Sequence, residues 1–165
     1  MSKYRLDIFD AADRGTVEDV KYFIEEKGVS VNAKQENFTI GATPLHKAAF
    51  GGNFEVAKYL ISKGADINDT CDEGLTPLHY TALDTGKTEE DDGKVKVAKL
   101  LVSKGADINA KTLRGNTPLD ISENEGPYEL TQYLKSIDCL NIGKIIKYIA
   151  IGIGVIIVIS IIGNC

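Results

Sequence analysis

Side chains suited to acid–base or metal chemistry are few in this sequence, and they are scattered. Histidine occurs only as His46 and His79. Both close the same string, Thr43-Pro44-Leu45-His46 and Thr76-Pro77-Leu78-His79, 33 residues apart. Catalysis or metal binding by either imidazole needs a nucleophile or further ligands converging on it. The motifs that supply such groups are missing: the sequence has no Gly-x-x-x-x-Gly-Lys-Ser/Thr, no His-Glu-x-x-His, no Gly-x-Ser-x-Gly and no paired cysteine motif. Cys71, Cys139 and Cys165 form an odd, dispersed set, as expected where thiols stay reduced. The acidic run 84–93 invites a calcium loop, but setting Gly93 at the sixth position places Thr88 at the first and Lys99 at the twelfth, where carboxylates are required. No catalytic residue, cofactor or metal is therefore expected.

The histidine spacing points instead to repetition. The string returns a third time as Thr117-Pro118-Leu119-Asp120, and Gly64-Ala65-Asp66-Ile67-Asn68 returns as Gly105-Ala106-Asp107-Ile108-Asn109. These later intervals are 41 residues, which is the period plus an eight-residue insertion between Leu83 and Val97. A weaker copy comes first, with Ala11-Ala12 matching Ala48-Ala49 and Gly28 to Asn32 matching the Gly-Ala-Asp-Ile-Asn turn. Each unit reads as two helices. Thr43 caps the first and Pro44 suits its opening position, Gly52 ends it, Asn53 caps the second, and Val56, Tyr59, Leu60 and Ile61 form that helix's buried stripe up to Gly64. Asp66 to Leu75 runs out and back as an extended, hairpin-like turn.

With these strings in view the chain resembles the ankyrin-repeat family over about residues 4–136. The resemblance implies an all-α solenoid of about four helix-turn-helix repeats (about 4–36, 37–71, 72–112 and 113–136) with hairpin-like finger loops. It also implies that His46 and His79 tie adjacent loops together by hydrogen bonds. Both outer repeats depart from the pattern. The first has Leu6-Asp7-Ile8-Phe9 at its start, with Arg5, Asp7, Asp10 and Asp13 exposed; the fourth has Ser122-Glu123 in place of the alanine pair and polar Thr131, Gln132 and Lys135. These are the features of end caps.

Beyond a linker at 137–141, the segment 142–163 is expected to be a transmembrane helix. From Tyr148 to Cys165 there is no charge, and those eighteen residues span about 27 Å as a helix. Lys135, Lys144 and Lys147 precede the uncharged stretch and no charge follows it, so the positive-inside rule places the repeat domain (1–136) in the cytoplasm, and 1–30 lacks a signal-peptide stretch. The protein then reads as tail-anchored and single-pass. Ala150 and Gly154, four apart, suit a helix-packing contact and a homo-oligomer within the membrane. Cys139 lies near the expected boundary and is a candidate for lipidation. Asn37-Phe38-Thr39 and Asn68-Asp69-Thr70 match the glycosylation pattern by chance on a cytoplasmic domain.

The whole chain of 165 residues carries −5, and removing Lys144 and Lys147 leaves −7 on residues 1–141. Such a balance argues against a broad nucleic-acid surface. What remains is recognition of a protein partner of unknown identity by a membrane-anchored, non-enzymatic module. Following the family's use of finger tips and inner helices, the candidate contact residues are Lys34, Glu36, Phe38 and Ile40 on the first finger, Asp69, Cys71 and Glu73 on the second, and Lys111, Leu113 and Arg114 on the third. Phe50 and Leu83, which follow the alanine-pair positions, complete the set. Two other readings are a secreted effector of an intracellular bacterium acting at host membranes, and a structural protein self-associating through its membrane helix.

Overall fold

A computed structural model describes residues 7–36, 40–83 and 92–138. Eight helices make up these residues, in the order α1 (Ile8–Arg14), α2 (Val17–Lys21), α3 (Pro44–Gly51), α4 (Phe54–Ser62), α5 (Pro77–Ala82), α6 (Asp92–Ser103), α7 (Pro118–Glu125) and α8 (128–138), with no strand among them. Helices α1, α3, α5 and α7 stack as an inner row; α2 and α4, then α4 and α6, pack along an outer row. The all-α solenoid is as the repeats imply.

Local chemistry sets the helix starts. Asp7 caps α1 by accepting the Phe9 and Asp10 N–H groups at 2.9 and 2.8 Å, replacing the threonine of the later repeats. Thr16 and Asp19 cap α2 reciprocally, as do Thr117 and Asp120 on α7. Pro44, Pro77 and Pro118 occupy the first position of their helices, where a missing N–H costs nothing. Helix α2 continues into a wide π-helical turn over Tyr22–Glu26. The first repeat has one more residue between its alanine pair and its closing glycine than the second, and this turn absorbs it.

The core lies between the rows. Ala11, Ala12, Ala48, Ala49 and Ala82 are fully buried, which lets inner helices approach closely, while Val20, Leu60, Leu101 and Leu130 fill the outer side. Among the described residues the fourth repeat closes this core and contributes no finger. Where the second and third repeats have Gly64 and Gly105 to end the outer helix, the fourth has Asp138, which is itself helical and is the last described residue of α8. Asn53 also differs from expectation: its side chain makes no cap bond to α4 and donates instead to the Ala12 and Asp13 carbonyls at the end of α1.

The expected membrane anchor is corrected. No helix among the described residues is long and apolar enough to cross a membrane, and 142–163, with Ala150 and Gly154, lies outside those residues. The tail-anchored, single-pass topology, the cytoplasmic placement derived from it and the homo-oligomer through a membrane helix lose their structural basis with it. The linker 137–141 is described only as far as Asp138, and 84–91 of the acidic insertion lies outside the described residues, whereas Asp92 and Gly93 form the first turn of α6.

Candidate functional site

Two sets of side chains fix the first finger to the second and the second to the third. His46 Nδ1 accepts from the Thr43 N–H at 3.1 Å and lies 2.8 Å from the Thr43 hydroxyl, so the ring's proton sits on Nε2, which donates to the Leu75 carbonyl at 3.0 Å. His79 repeats the arrangement from Thr76 to the Asn116 carbonyl at 3.2 Å. Burial holds His46 neutral, its pKa lowered to about 4, and lowers His79 as well. The histidines are thus struts between repeats. Asp120 in the third copy reaches only its own Thr117, whose N–H and hydroxyl hold its carboxyl below the usual range, and the series ends there.

Sequence reasoning missed the second set. The Asn32 amide accepts the Asp66 N–H at 3.0 Å and donates to the Gly64 carbonyl at 3.3 Å; the Asn68 amide does the same to Asp107 and Gly105, at 2.9 and 3.1 Å. The signal was available, since the asparagine recurs one residue after each Asp/Ser-x pair. Finger tips are joined directly by backbone bonds, Asp72 N–H to the Ile40 carbonyl at 3.1 Å and Leu113 N–H to the Glu73 carbonyl at 3.0 Å. At Gly41, φ is +81° and a Cβ would stand 3.0 Å from the Asp72 nitrogen, so a side chain is excluded by conformation and by space.

The fingers place their candidate residues differently. Ile40 is 55% exposed and Leu113 81% exposed, each at a tip bonded to its neighbour. Glu36, Glu73, Lys111 and Arg114 are exposed beside them. Lys34 spans to the second finger, pairing with the Asp69 carboxylate and donating to the Thr70 carbonyl at 3.1 Å, so these two candidates are joined to each other. Cys71 is buried, which corrects its placement on an open finger surface: the thiol packs inside the finger. Phe38 lies outside the described residues.

Phe50 and Leu83 are half-buried and meet at Lys94. The Phe50 ring stands edge-on to Tyr80, with centroids 6.5 Å apart, and the Lys94 ammonium lies 5.4 Å from its centroid while donating to the Leu83 carbonyl. Lys94 itself is 1% exposed. Its place one residue after Gly93, where the second repeat has Asn53, gave no hint of such burial. Lys47 on the same row is half-buried, and burial lowers its pKa against the opposing pull of Asp13, Asp10 and Asp7. On the outer row, Tyr59 donates to Glu25 at 3.0 Å and Lys63 pairs with the same carboxylate at 2.8 Å. Among the described residues no group of His, Cys, Asp and Glu has the geometry to hold a metal ion.

These helix pairs, histidine struts and stacked fingers coincide with a family model. Ankyrin repeats, in three copies, match residues 8–112. The chain belongs to the ankyrin-repeat family. Ankyrin-repeat domains are a non-catalytic family that works through protein contacts, and this repeat domain is consistent with a non-enzyme. Similar proteins include the alpha-latrocrustotoxin-Lt1a of Latrodectus tredecimguttatus, 43% identical over 72 residues, which are 43% of this chain and 5% of the toxin. Protein phosphatase 1 regulatory subunit 27 of Mus musculus is 36% identical over 75 residues, 46% of this chain and 47% of that protein. A putative ankyrin repeat protein of Rickettsia bellii is 41% identical over 73 residues, 41% of this chain and 42% of its own length. The chain spans less than half the length of each of these relatives.

Proposed function

We propose that the chain is a protein-contact module in which the finger tips and the inner row hold a protein partner. One observation supports this most: Ile40 and Leu113 are large apolar side chains held exposed on fingers that are already braced to one another. A few apolar anchors carry most of the energy of an interface, and a braced backbone reduces the ordering cost of binding. In this reading Glu36, Glu73, Lys111 and Arg114 form a polar rim and Phe50 and Leu83 an inner-row contact. Lys34 and Asp69, engaged with each other, together with buried Cys71, shape the surface rather than bind. The test is affinity capture from the cells that make the protein, with the unaltered chain and with Ile40→Glu/Leu113→Glu. A partner held by the first and lost by the second is expected; equal capture by both removes these anchors from the surface.

A second reading, a protein exported by an intracellular bacterium to contact host proteins, is favoured by the likeness to the Rickettsia bellii protein. A reporter fusion read in host cytosol tests it, and retention of the reporter inside the bacterium ends it.

A further inference from the structure

The edge of the first finger that faces the second carries four groups. The Asn32 amide takes the Asp66 N–H and the Gly64 carbonyl; Lys34 pairs with the Asp69 carboxylate; the Ile40 carbonyl accepts the Asp72 N–H; and Gly41, at φ +81°, lets the Asp72 backbone lie against it. The second finger keeps three of these toward the third, with Thr70 where the lysine would be. The third finger restores all four, as Asn109, Lys111, the Arg114 carbonyl and Gly115 at φ +85°. Its turn has the same internal bonds, Thr112 N–H to the Asn116 carbonyl and Gly115 N–H to the Thr112 carbonyl, as Cys71, Leu75 and Gly74 make in the second.

Nothing among the described residues meets this last edge. The Asn109 side-chain amide, Lys111 and the Arg114 carbonyl have no hydrogen-bond or ion-pair partner there, and a Cβ built on Gly115 finds no atom within 4 Å, whereas one on Gly74 finds the Leu113 nitrogen at 3.0 Å. Lys111 lies near enough to Asp120 to lower its carboxyl yet forms no ion pair with it. Leu113, 81% exposed, stands on this finger. Among the described residues the fourth repeat closes the helical core and contributes no finger, so within them the stack is capped in its helices and open at its fingers.

We propose that the open edge of the third finger docks an acidic, finger-like turn of a partner protein, with a carboxylate for Lys111 and a tip N–H for the Arg114 carbonyl. This rests on the protein-contact reading and names the chemistry of the partner. Charge complementarity selects the occupant: Lys34 shows what the lysine at this position holds, an aspartate of the incoming turn. A second copy of this chain fits less well, because its first finger has Ala33 where the second has Asp69, and Lys111 would stay unpaired.

The probe is a head-to-tail cyclised peptide of residues 66–76 with Cys71→Ser, titrated into the 15N-labelled full chain. Amide shifts at 109–116 are expected, saturating at millimolar peptide. Replacing Asp69 by Ala in the peptide weakens binding about two- to fivefold, the range of an exposed ion pair. The chain carrying Lys111→Asp reverses the preference, binding an Asp69→Lys peptide better than the parent, an exchange that misfolding does not produce. Absent shifts at 109–116, or equal shifts from the parent and Asp69→Lys peptides in both chains, overturn the proposal. Concentration-dependent shifts there without peptide overturn it in favour of a second copy. Capture of a partner that depends on Ile40 but not on Lys111 overturns this edge and leaves the protein-contact reading standing. Peptide binding without any captured partner overturns the protein-contact reading and, with it, the assignment of this edge to a partner protein.

Discussion

Acidification should weaken the stack through His46 in a window fixed by its geometry. The imidazole is buried, its Nδ1 faces the Thr43 N–H, and only the neutral ring satisfies both that donor and the Leu75 carbonyl. Its pKa is lowered from 6.5 to about 4, so on falling pH the unfolded chain takes up the proton first. Stability from this group is therefore complete above pH 6.5, declines between 6.5 and 4, and is flat below. At about 1.4 kcal/mol per tenfold difference in proton affinity, the full loss is about 3 kcal/mol, of which about 2 kcal/mol is reached by pH 5. His79, shifted in the same direction, adds to the slope. The assay is urea unfolding of the full chain and of His46→Gln at pH 7.5 and pH 5. At pH 7.5 the variant should be less stable by about 1 to 2 kcal/mol, having lost the bond to Leu75. Between the two pH values it should lose about 2 kcal/mol less than the parent, because His79 titrates in both proteins and only the parent carries the His46 ring. Parallel losses in the two proteins, or a parent that gains stability at pH 5, refute the reasoning.

Other perturbations separate braced from open positions. Asn68→Ala removes two bonds to the third repeat and should cost about 1 to 2 kcal/mol, whereas Asn109→Ala should stay within about 0.5 kcal/mol; chemical denaturation compares them. Gly41→Ala and Gly115→Ala both force alanine into the left-handed region, at about 1 to 2 kcal/mol, but Gly41→Ala also collides with Asp72 and should be clearly the worse by thermal unfolding. Cys71 should resist alkylation in the native chain and react once urea unfolds it, read by mass spectrometry of its peptide; equal rates in both states contradict its burial.

The repeat was legible because it is written in residues with strong local consequences. Thr-Pro at a helix start and glycine at a turn give the same answer in isolation as in the fold, and the positions of α3, α4, α5 and α7 follow from them. Contacts between repeats were harder to read. Asn53 has the chemistry of a cap, but the end of α1 lies within its reach and offers two carbonyls, so tertiary partners win. Cys71 stands in a finger, where exposure is the usual expectation; the bond from its N–H to the Leu75 carbonyl folds the finger back and turns the thiol inward. Lys94 is buried because the Leu83 carbonyl and the Phe50 ring together solvate its ammonium, a site that exists only once three helices have packed. The segment 142–163 was read from apolar length alone, and no described helix bears that reading out.

Whether the exposed tips are where a partner sits is most directly measured by site-specific photocrosslinking in the cells that make the protein. A photoreactive residue is placed in turn at Ile40, at Leu113 and, as an outer-row control, at exposed Lys58. The same discrete crosslinked species is expected from Ile40 and Leu113 and not from Lys58. Crosslinks of equal yield from Lys58, or none from either tip, would contradict the assignment of the fingers as the contact surface.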